Sequence, residues 1–160
     1  MNKKIEVNDY VEPISDMFND ADLKEYGVTV DVRCLSAHRA HDGLSAFIEE
    51  TNHNDTEVII AAAGMAAHLA GAIAANTTLP VVGIPCKGPV LDDALLSIVQ
   101  MPSGIPVATV AINGGKNAAY LALQIIGINH REVREKLLAH RAEMEAAAMK
   151  ANDEMIAKFK

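Results

Sequence analysis

Residues 57–71, with the sequence EVIIAAAGMAAHLAG, decide how the rest of the chain is interpreted. Residues 58–63 form a short, continuous apolar run, which is the pattern of a strand buried on both faces of a sheet. Gly64 interrupts this run, and residues 66–75 have the composition of an alanine-rich helix with little side-chain bulk. The stretch therefore predicts a strand, a tight glycine turn and a helix, which make half of a strand–helix–strand unit.

The predicted turn at Gly64 is also a candidate ligand site. In open parallel sheets, ligands bind beyond the carboxyl ends of the strands. The small residues around Gly64 would let a planar ligand approach the backbone, with His68 facing the same space. A close-packed helix crossing, with His68 as a surface or core histidine, fits the same residues, because a lone glycine turn is a weak motif.

Strand-like and helix-like segments alternate on both sides of this stretch. Upstream, the pattern predicts strands at residues 3–7 and 28–35 and helices at residues 13–26, ended by Gly27, and 42–52. Downstream, it predicts strands at residues 80–85 and 105–112 and helices at residues 91–99 and 116–126. This alternation predicts a parallel sheet of about five strands covered by helices on both faces, a three-layer αβα domain of the α/β class.

The last part of the chain is predicted to be one long helix that begins near residue 130. Its apolar residues recur at steps of mostly three, four or seven, at Val133, Leu137, Met144, Ala148, Met155 and Phe159. Little chain is left to cover this stripe, so it packs either on its own domain or on another subunit. We expect residues 1–160 to form a single domain, with residues 130–160 as a C-terminal helical extension.

Length and composition narrow the classes of function. The 160 residues suit one domain with a sizeable core, and no run of about 18 apolar residues or signal-peptide core is present, so we expect no membrane association. The formal net charge of −7 argues against nucleic acid as a partner, because phosphate contacts require clustered Lys and Arg. Cys34 and Cys86 lie far apart in apolar surroundings and are expected to be reduced residues of a cytoplasmic protein.

Residues 36–39, Ser-Ala-His-Arg, follow the strand predicted at residues 28–35 and form a second candidate site. Arg39 suits a phosphate or carboxylate, and His38 suits proton transfer near neutral pH. A capped turn, with Ser36 or Asp42 capping the next helix and Arg39 solvated, fits the same residues equally well. His38 and His41 are three apart but have no third ligand nearby, so the sequence predicts no metal site.

Three motifs, in order and with matching spacing, resemble one family. They are SAHR at residues 36–39, AGMAAHL at residues 63–69, and LLSIVQMP at residues 95–102 followed by GIPVAT at residues 104–109. Over about residues 28–128 the chain resembles the 5-(carboxyamino)imidazole ribonucleotide mutase family of bacterial purine biosynthesis, of the AIR carboxylase catalytic subunit type. The AAHL sequence resembles the mutase branch rather than the branch that uses free carbon dioxide.

The resemblance implies a fold, a reaction and a set of site residues. The fold is flavodoxin-like, and the reaction is the conversion of 5-carboxyaminoimidazole ribonucleotide to 4-carboxy-5-aminoimidazole ribonucleotide by a cytoplasmic homo-octamer without a cofactor. The implied general acid/base is His38, and the implied partners of the phosphate end are Ser36 and Arg39. The migrating carboxylate would lie against the loop of Gly64, Ala66, Ala67, His68 and Leu69.

The first loop departs from the family pattern, which reads GSxSD. Counting back from Ser36 without gaps places residues 8–12, NDYVE, at this loop. Asp9 would then face the phosphate, which is repulsive unless the carboxylate is paired or protonated, and Glu12 would replace the family's aspartate as a ribose-binding residue. A rival alignment uses Ser15 and Asp16. A related carboxylase or decarboxylase acting on another small heteroaromatic substrate, or a non-catalytic homologue, therefore stays open as an alternative function.

Overall fold

Within the described part of the chain, five parallel strands form a single sheet. The computed structural model describes residues 4–8, 20–88 and 92–159. The strands are β1 (Lys4–Asn8), β2 (Thr29–Arg33), β3 (Thr56–Ala63), β4 (Val81–Pro85) and β5 (Ala108–Thr109), in the spatial order β2-β1-β3-β4-β5. All adjacent strands are parallel. This is the flavodoxin-like order, so the predicted fold class is confirmed.

Helices cover both faces of this sheet. They are α1 (Asp20–Glu25), α2 (His41–His53), α3 (His68–Ala74), α4 (Asp93–Val99), α5 (Gly115–Ile126) and α6 (Arg131–Lys158). Val58, Ile60 and Ala62 of β3 belong to one buried cluster, with residues of α1, α5 and α6. Ile59, Ala61 and Ala63 belong to the other, with residues of α2, α3 and α4. Because successive strand residues point to opposite faces, β3 supplies both cores, which explains its unbroken apolar sequence.

Most predicted elements are confirmed with small shifts of their ends. The helix predicted at residues 42–52 is α2, which buries Leu44, Phe47 and Ile48 as expected of its apolar face. Of the helix predicted at residues 13–26, only the end lies within the described residues. That end is α1, and Gly27 follows it with a φ of 75° and donates its N–H to the carbonyl of Lys24 at 2.9 Å. The predicted glycine cap is therefore confirmed.

The strand predicted at residues 105–112 is wrong in length, because only Ala108 and Thr109 pair with β4. Pro106 has no N–H to donate to a ladder, and residues 105 and 107 pack on the core of α2, α3 and α4 instead. The packing is close at Gly83 of β4, where a Cβ would lie 2.5 Å from Ile98 and 3.0 Å from Val107. Gly83 therefore sets the approach of this segment and of α4 to the sheet.

The long helix α6 has two halves with different surroundings. Val133 and Leu137 are buried in the core under α5. From residue 141 onward every described side chain is exposed, including Met144, Met155 and Phe159. The predicted stripe thus packs on its own domain only in its first part. No helix in the described ranges has the length and apolarity needed to cross a membrane.

Candidate active site

The two candidate loops lie at the carboxyl edge of the sheet, after β2 and after β3. β1 lies between these two strands, so its last residue, Asn8, is at the same edge of the sheet between the ends of β2 and β3. This is the position where strand order reverses, which is where ligands of doubly wound sheets bind. Asp9 and Glu12 follow immediately but lie outside the described residues, and so do Ser15 and Asp16 of the rival alignment.

One cavity of about 540 Å³ brings the two loops together. It is lined by residues 35–39 from the loop after β2 and by residues 63–69 from the loop after β3. Every candidate site residue of the sequence analysis except Glu12 is on this wall: Ser36, His38, Arg39, Gly64, Ala66, Ala67, His68 and Leu69. Residues separated by about 30 positions in the chain therefore face one space that can admit a small ligand.

The loop after β2 is a hydrogen-bonded turn. The backbone N–H of Arg39 donates to the Ser36 hydroxyl oxygen at 3.2 Å, and the N–H of Ala40 donates to the Ser36 carbonyl at 3.0 Å. The N-cap position of α2 is Ala40, which makes no side-chain capping bond. Ser36 thus shapes its own turn and does not cap the following helix, and its O–H can still donate to a ligand.

The loop after β3 differs from the predicted glycine turn. Its left-handed residues are Met65, with a φ of 54°, and Ala67, with a φ of 38°, whereas Gly64 has no positive φ. Left-handed backbone costs an L-residue about 1–2 kcal/mol. The turn is closed by the Ala67 N–H, which donates to the Gly64 carbonyl at 2.9 Å. Because of this geometry, α3 begins at His68 and not at residue 66, so the predicted helix start is wrong by two residues.

A pair of histidines joins the two loops across the cavity. His38 Nε2 lies 2.8 Å from His68 Nδ1, with the ring centroids 4.9 Å apart and the ring planes at 83°. At this distance one nitrogen donates an N–H and the other accepts it. The pair fixes the orientation of both rings while each side chain stays exposed to the cavity. An imidazole that is oriented in this way and accessible to ligand can transfer a proton.

The structure pairs His38 with His68 and not with His41, the neighbour considered from sequence spacing. Across residues 20–88 and 92–159 and the β1 strand, no group of three or more His, Cys, Asp or Glu side chains is arranged to hold a metal ion. The polar side-chain groups on the described cavity wall are the imidazoles of His38 and His68, the guanidinium of Arg39 and the hydroxyl of Ser36.

Sequence reasoning missed two features of this edge. Met65 is the one large side chain in a loop of glycine and alanine, and it is 70% exposed on the cavity wall. Asn113 accepts from the Lys87 N–H at 2.9 Å through its side chain, and its own N–H donates to the Pro85 carbonyl at 2.9 Å. Asn113 thereby ties the loops after β4 and β5 together, and its φ of 56° suits an asparagine.

Comparisons with known proteins identify the family of the chain. The family model for AIR carboxylase matches residues 15–147. The chain belongs to the AIR carboxylase family. The family match begins at residue 15, so Asp9 and Glu12 lie outside it and their assignment stays a prediction.

Relatives with known names cover most of the chain. The N5-carboxyaminoimidazole ribonucleotide mutase of Pyrococcus horikoshii is 52% identical over 124 residues, which is 76% of this chain and 70% of the relative. The mutase of Methanocaldococcus jannaschii is 43% identical over 140 residues, 86% of this chain and 87% of the relative. A crystal structure of Treponema denticola PurE matches with a TM-score of 0.77 over 95% of this chain and 96% of its own, at 23% identity, which supports the fold.

Proposed function

We propose that this member of the AIR carboxylase family is an N5-carboxyaminoimidazole ribonucleotide mutase of de novo purine biosynthesis. Its substrate is 5-carboxyaminoimidazole ribonucleotide, and its product is 4-carboxy-5-aminoimidazole ribonucleotide. The observation that carries the proposal is the His38–His68 pair, held at 2.8 Å on the wall of the cavity. The identity of 52% with a mutase that carries this name supports it independently.

The reaction needs a single group that first gives and then takes a proton. His38 donates a proton to the exocyclic nitrogen as the N–C bond to the carboxylate breaks, which releases carbon dioxide inside the cavity. The ring carbon of the electron-rich aminoimidazole then attacks the carbon dioxide and forms the C–C bond. His38 takes the proton that this carbon must lose, and aromaticity is restored. Atoms and electrons balance within the substrate and one imidazole, so the proposal includes no cofactor.

The remaining wall residues bind and orient the substrate. The Arg39 guanidinium and the Ser36 hydroxyl suit the phosphate, because a guanidinium and an O–H donor both complement an anionic oxygen. The loop of Gly64, Ala66 and Ala67 brings the backbone close to the migrating carboxylate. His68 holds the His38 ring by its hydrogen bond, and Leu69 is buried behind the loop and supports it.

We also propose that the protein is a cytoplasmic homo-octamer, in which residues 1–160 form one domain and residues 130–160 its helical extension. Support for assembly comes from the exposed apolar side chains on the distal part of α6, of which Phe159 is 84% exposed. Support for a reducing compartment comes from Cys34 and Cys86, the two cysteines of the sequence, which form no disulfide with each other. Light scattering tests the assembly, and a monomer mass at micromolar concentration would contradict it.

The decisive test of the activity is an assay of the purified chain with substrate labelled by carbon-13 in the migrating carboxylate. In unlabelled bicarbonate, a mutase with a closed cavity yields a product that retains most of the label. A product without label would instead indicate a carboxylase that draws on free carbon dioxide. No conversion at all would contradict the proposal.

One sequence feature favours a second function, a carboxylase or decarboxylase acting on another small heteroaromatic compound. In the ungapped alignment, Asp9 stands where the family binds phosphate, and a carboxylate there disfavours a phosphorylated substrate. Comparing the binding of the ribonucleotide with that of its dephosphorylated form separates the two. A mutase binds the phosphorylated form more tightly, whereas equal or weaker binding of that form supports the second function.

A further inference from the structure

Met65 combines two features that each lower stability. It is a non-glycine residue in the left-handed region, with a φ of 54°, and its apolar side chain is 70% exposed. Burial of an apolar side chain away from water is favourable and could offset the free-energy cost of this backbone conformation. Among the described residues, Met65 obtains little such compensation, because most of its side chain stays exposed. Strained residues that persist without a packing reason cluster at functional sites.

The position of Met65 indicates what it contacts. It lies on the wall of the cavity of about 540 Å³, in the loop between β3 and the His68 that holds His38. Its neighbours Gly64, Ala66 and Ala67 are small, so Met65 is the bulky apolar group that this loop offers to a ligand. A thioether on a flexible chain packs favourably against an aromatic ring.

We propose that Met65 is a specificity residue whose side chain covers one face of the substrate's imidazole ring beside the His38–His68 pair. This inference rests on the proposed function, because that function supplies the ring. The contact removes water from the covered face of the ring and leaves the opposite face for the attack on carbon dioxide. It also selects ligands by the planar ring and not by the phosphate, which is assigned to Ser36 and Arg39.

Three substitutions at Met65 separate the side chain from the backbone. Met65→Gly removes the side chain and relieves the left-handed conformation, Met65→Ala removes the side chain and keeps that conformation, and Met65→Leu keeps most of the bulk. Met149→Ala is the matched control, because Met149 is an exposed methionine of α6, 56% exposed and remote in sequence from the cavity loops. The probes are 5-aminoimidazole ribonucleotide, which carries the ring, and ribose 5-phosphate, which does not.

We expect Met65→Gly and Met65→Ala to weaken binding of 5-aminoimidazole ribonucleotide by about four- to fifteenfold, the range for losing one or two buried methylene contacts. Met65→Leu and Met149→Ala should stay within about threefold of the parent, since they keep the contact or lie outside it. All four should bind ribose 5-phosphate as the parent does. The melting temperature of unliganded Met65→Gly should equal or exceed that of the parent, because glycine relieves the left-handed strain.

Several results would overturn the inference. Equal binding of 5-aminoimidazole ribonucleotide by all variants, parallel losses for both probes, or a melting temperature of Met65→Gly several degrees below the parent would each do so. A changed mass in light scattering with unchanged binding would assign Met65 to a subunit contact instead. A parent chain that binds neither probe would overturn the proposed function as well, which distinguishes that failure from a failure at Met65 alone.

Discussion

Two hydrogen-bonded side-chain pairs that contain histidine have the same donor–acceptor distance, but one is exposed and the other is partly buried. His38 and His68 meet at 2.8 Å on an exposed cavity wall, edge to face. His140 of α6 meets the hydroxyl of Tyr120 of α5 at 2.8 Å in a partly buried position, with the rings stacked at 18°. The first pair joins two loops and is open to ligand, while the second joins two packed helices. The two bonds have the same length, so their surroundings, and not their length, distinguish a pair that is open to a ligand from a pair that packs two helices.

A third pair, between a histidine and a glutamate, also lies in a partly buried position between packed elements. His130 precedes α6, and its Nε2 lies 3.0 Å from Oε1 of Glu57 at the start of β3, with side-chain exposures of 14% and 29%. Among the described residues, Oε2 of Glu57 is buried without a hydrogen-bond partner. This pair fastens the beginning of α6 to the amino edge of the sheet, remote from the carboxyl edge where the cavity lies. The packed and exposed pairs can therefore be altered separately.

The largest expected effect comes from breaking the exposed pair at its proposed proton donor. His38→Asn should lower turnover by about 10²- to 10⁴-fold, the usual contribution of a general acid/base. Asn keeps a polar side chain of similar size, and His38 is exposed, so the melting temperature should stay within a few degrees of the parent. Steady-state kinetics with the mutase substrate and thermal unfolding measure the two quantities. Near-normal turnover would remove His38 from this role.

Altering the other member of the exposed pair should have a smaller effect. His68→Leu deletes the group that orients His38, and we expect turnover to fall by about ten- to a hundredfold, the equivalent of one lost hydrogen bond in the transition state. His68→Gln retains a polar group that can bond His38 and should recover part of the loss. A substrate KM that rises while kcat is unchanged would show that His68 binds substrate and does not position His38.

Breaking the packed pair at the start of α6 should reduce stability and leave the chemistry intact. His130→Ala leaves a half-buried Glu57 without its partner, so the free energy of unfolding should fall by about 1–2 kcal/mol. His130→Gln can still donate to the carboxylate and serves as the matched control, with a smaller loss. Urea unfolding followed by circular dichroism measures both. Turnover per folded molecule below half of the parent value would contradict the separation between the two kinds of pair.

The smallest expected effect is that of the stacked pair. Tyr120→Phe removes the hydroxyl that meets His140 and keeps the ring stack. Because a single hydrogen bond between neutral groups contributes about 0.5–1.5 kcal/mol, the midpoint of urea unfolding should shift slightly downward. Turnover should not change. A loss of activity larger than the loss of folded protein would mean that α5 and α6 influence the cavity.

Much of the fold follows from local patterns in the sequence. The unbroken apolar run of β3 is readable because a strand that supplies both cores has no polar face. α2 and α5 are readable because each has one apolar face and a length typical of helices. The sequence predicts the long helix α6. The spacing of its apolar residues did not show that, within α6, only Val133 and Leu137 are buried in the domain's own core.

Some features of the candidate site also follow from the sequence, and others do not. The motifs at residues 36–39 and 63–69 identify the loops, and parallel topology places both at one edge of the sheet. The left-handed conformation of Met65 and Ala67 could not be read from the sequence, because alanine and methionine favour helix and the adjacent glycine is the expected left-handed residue. Tertiary contacts therefore hold Met65 and Ala67 in a backbone conformation that their own residue types disfavour.

The sequence by itself determined the α/β class, the order of elements and the residue types at the carboxyl edge, because each of these depends on neighbours a few positions apart. Only the tertiary structure decided that His38 bonds His68 and not His41, which is nearer in the sequence, and that Met65 stands exposed over the cavity. It also decided that only two residues near 108 pair with β4, while residues 105 and 107 pack on the core. Those features depend on distances between segments about 30 residues apart. Such distances are set by how the two cores pack around β1 and β3, and no local pattern encodes them.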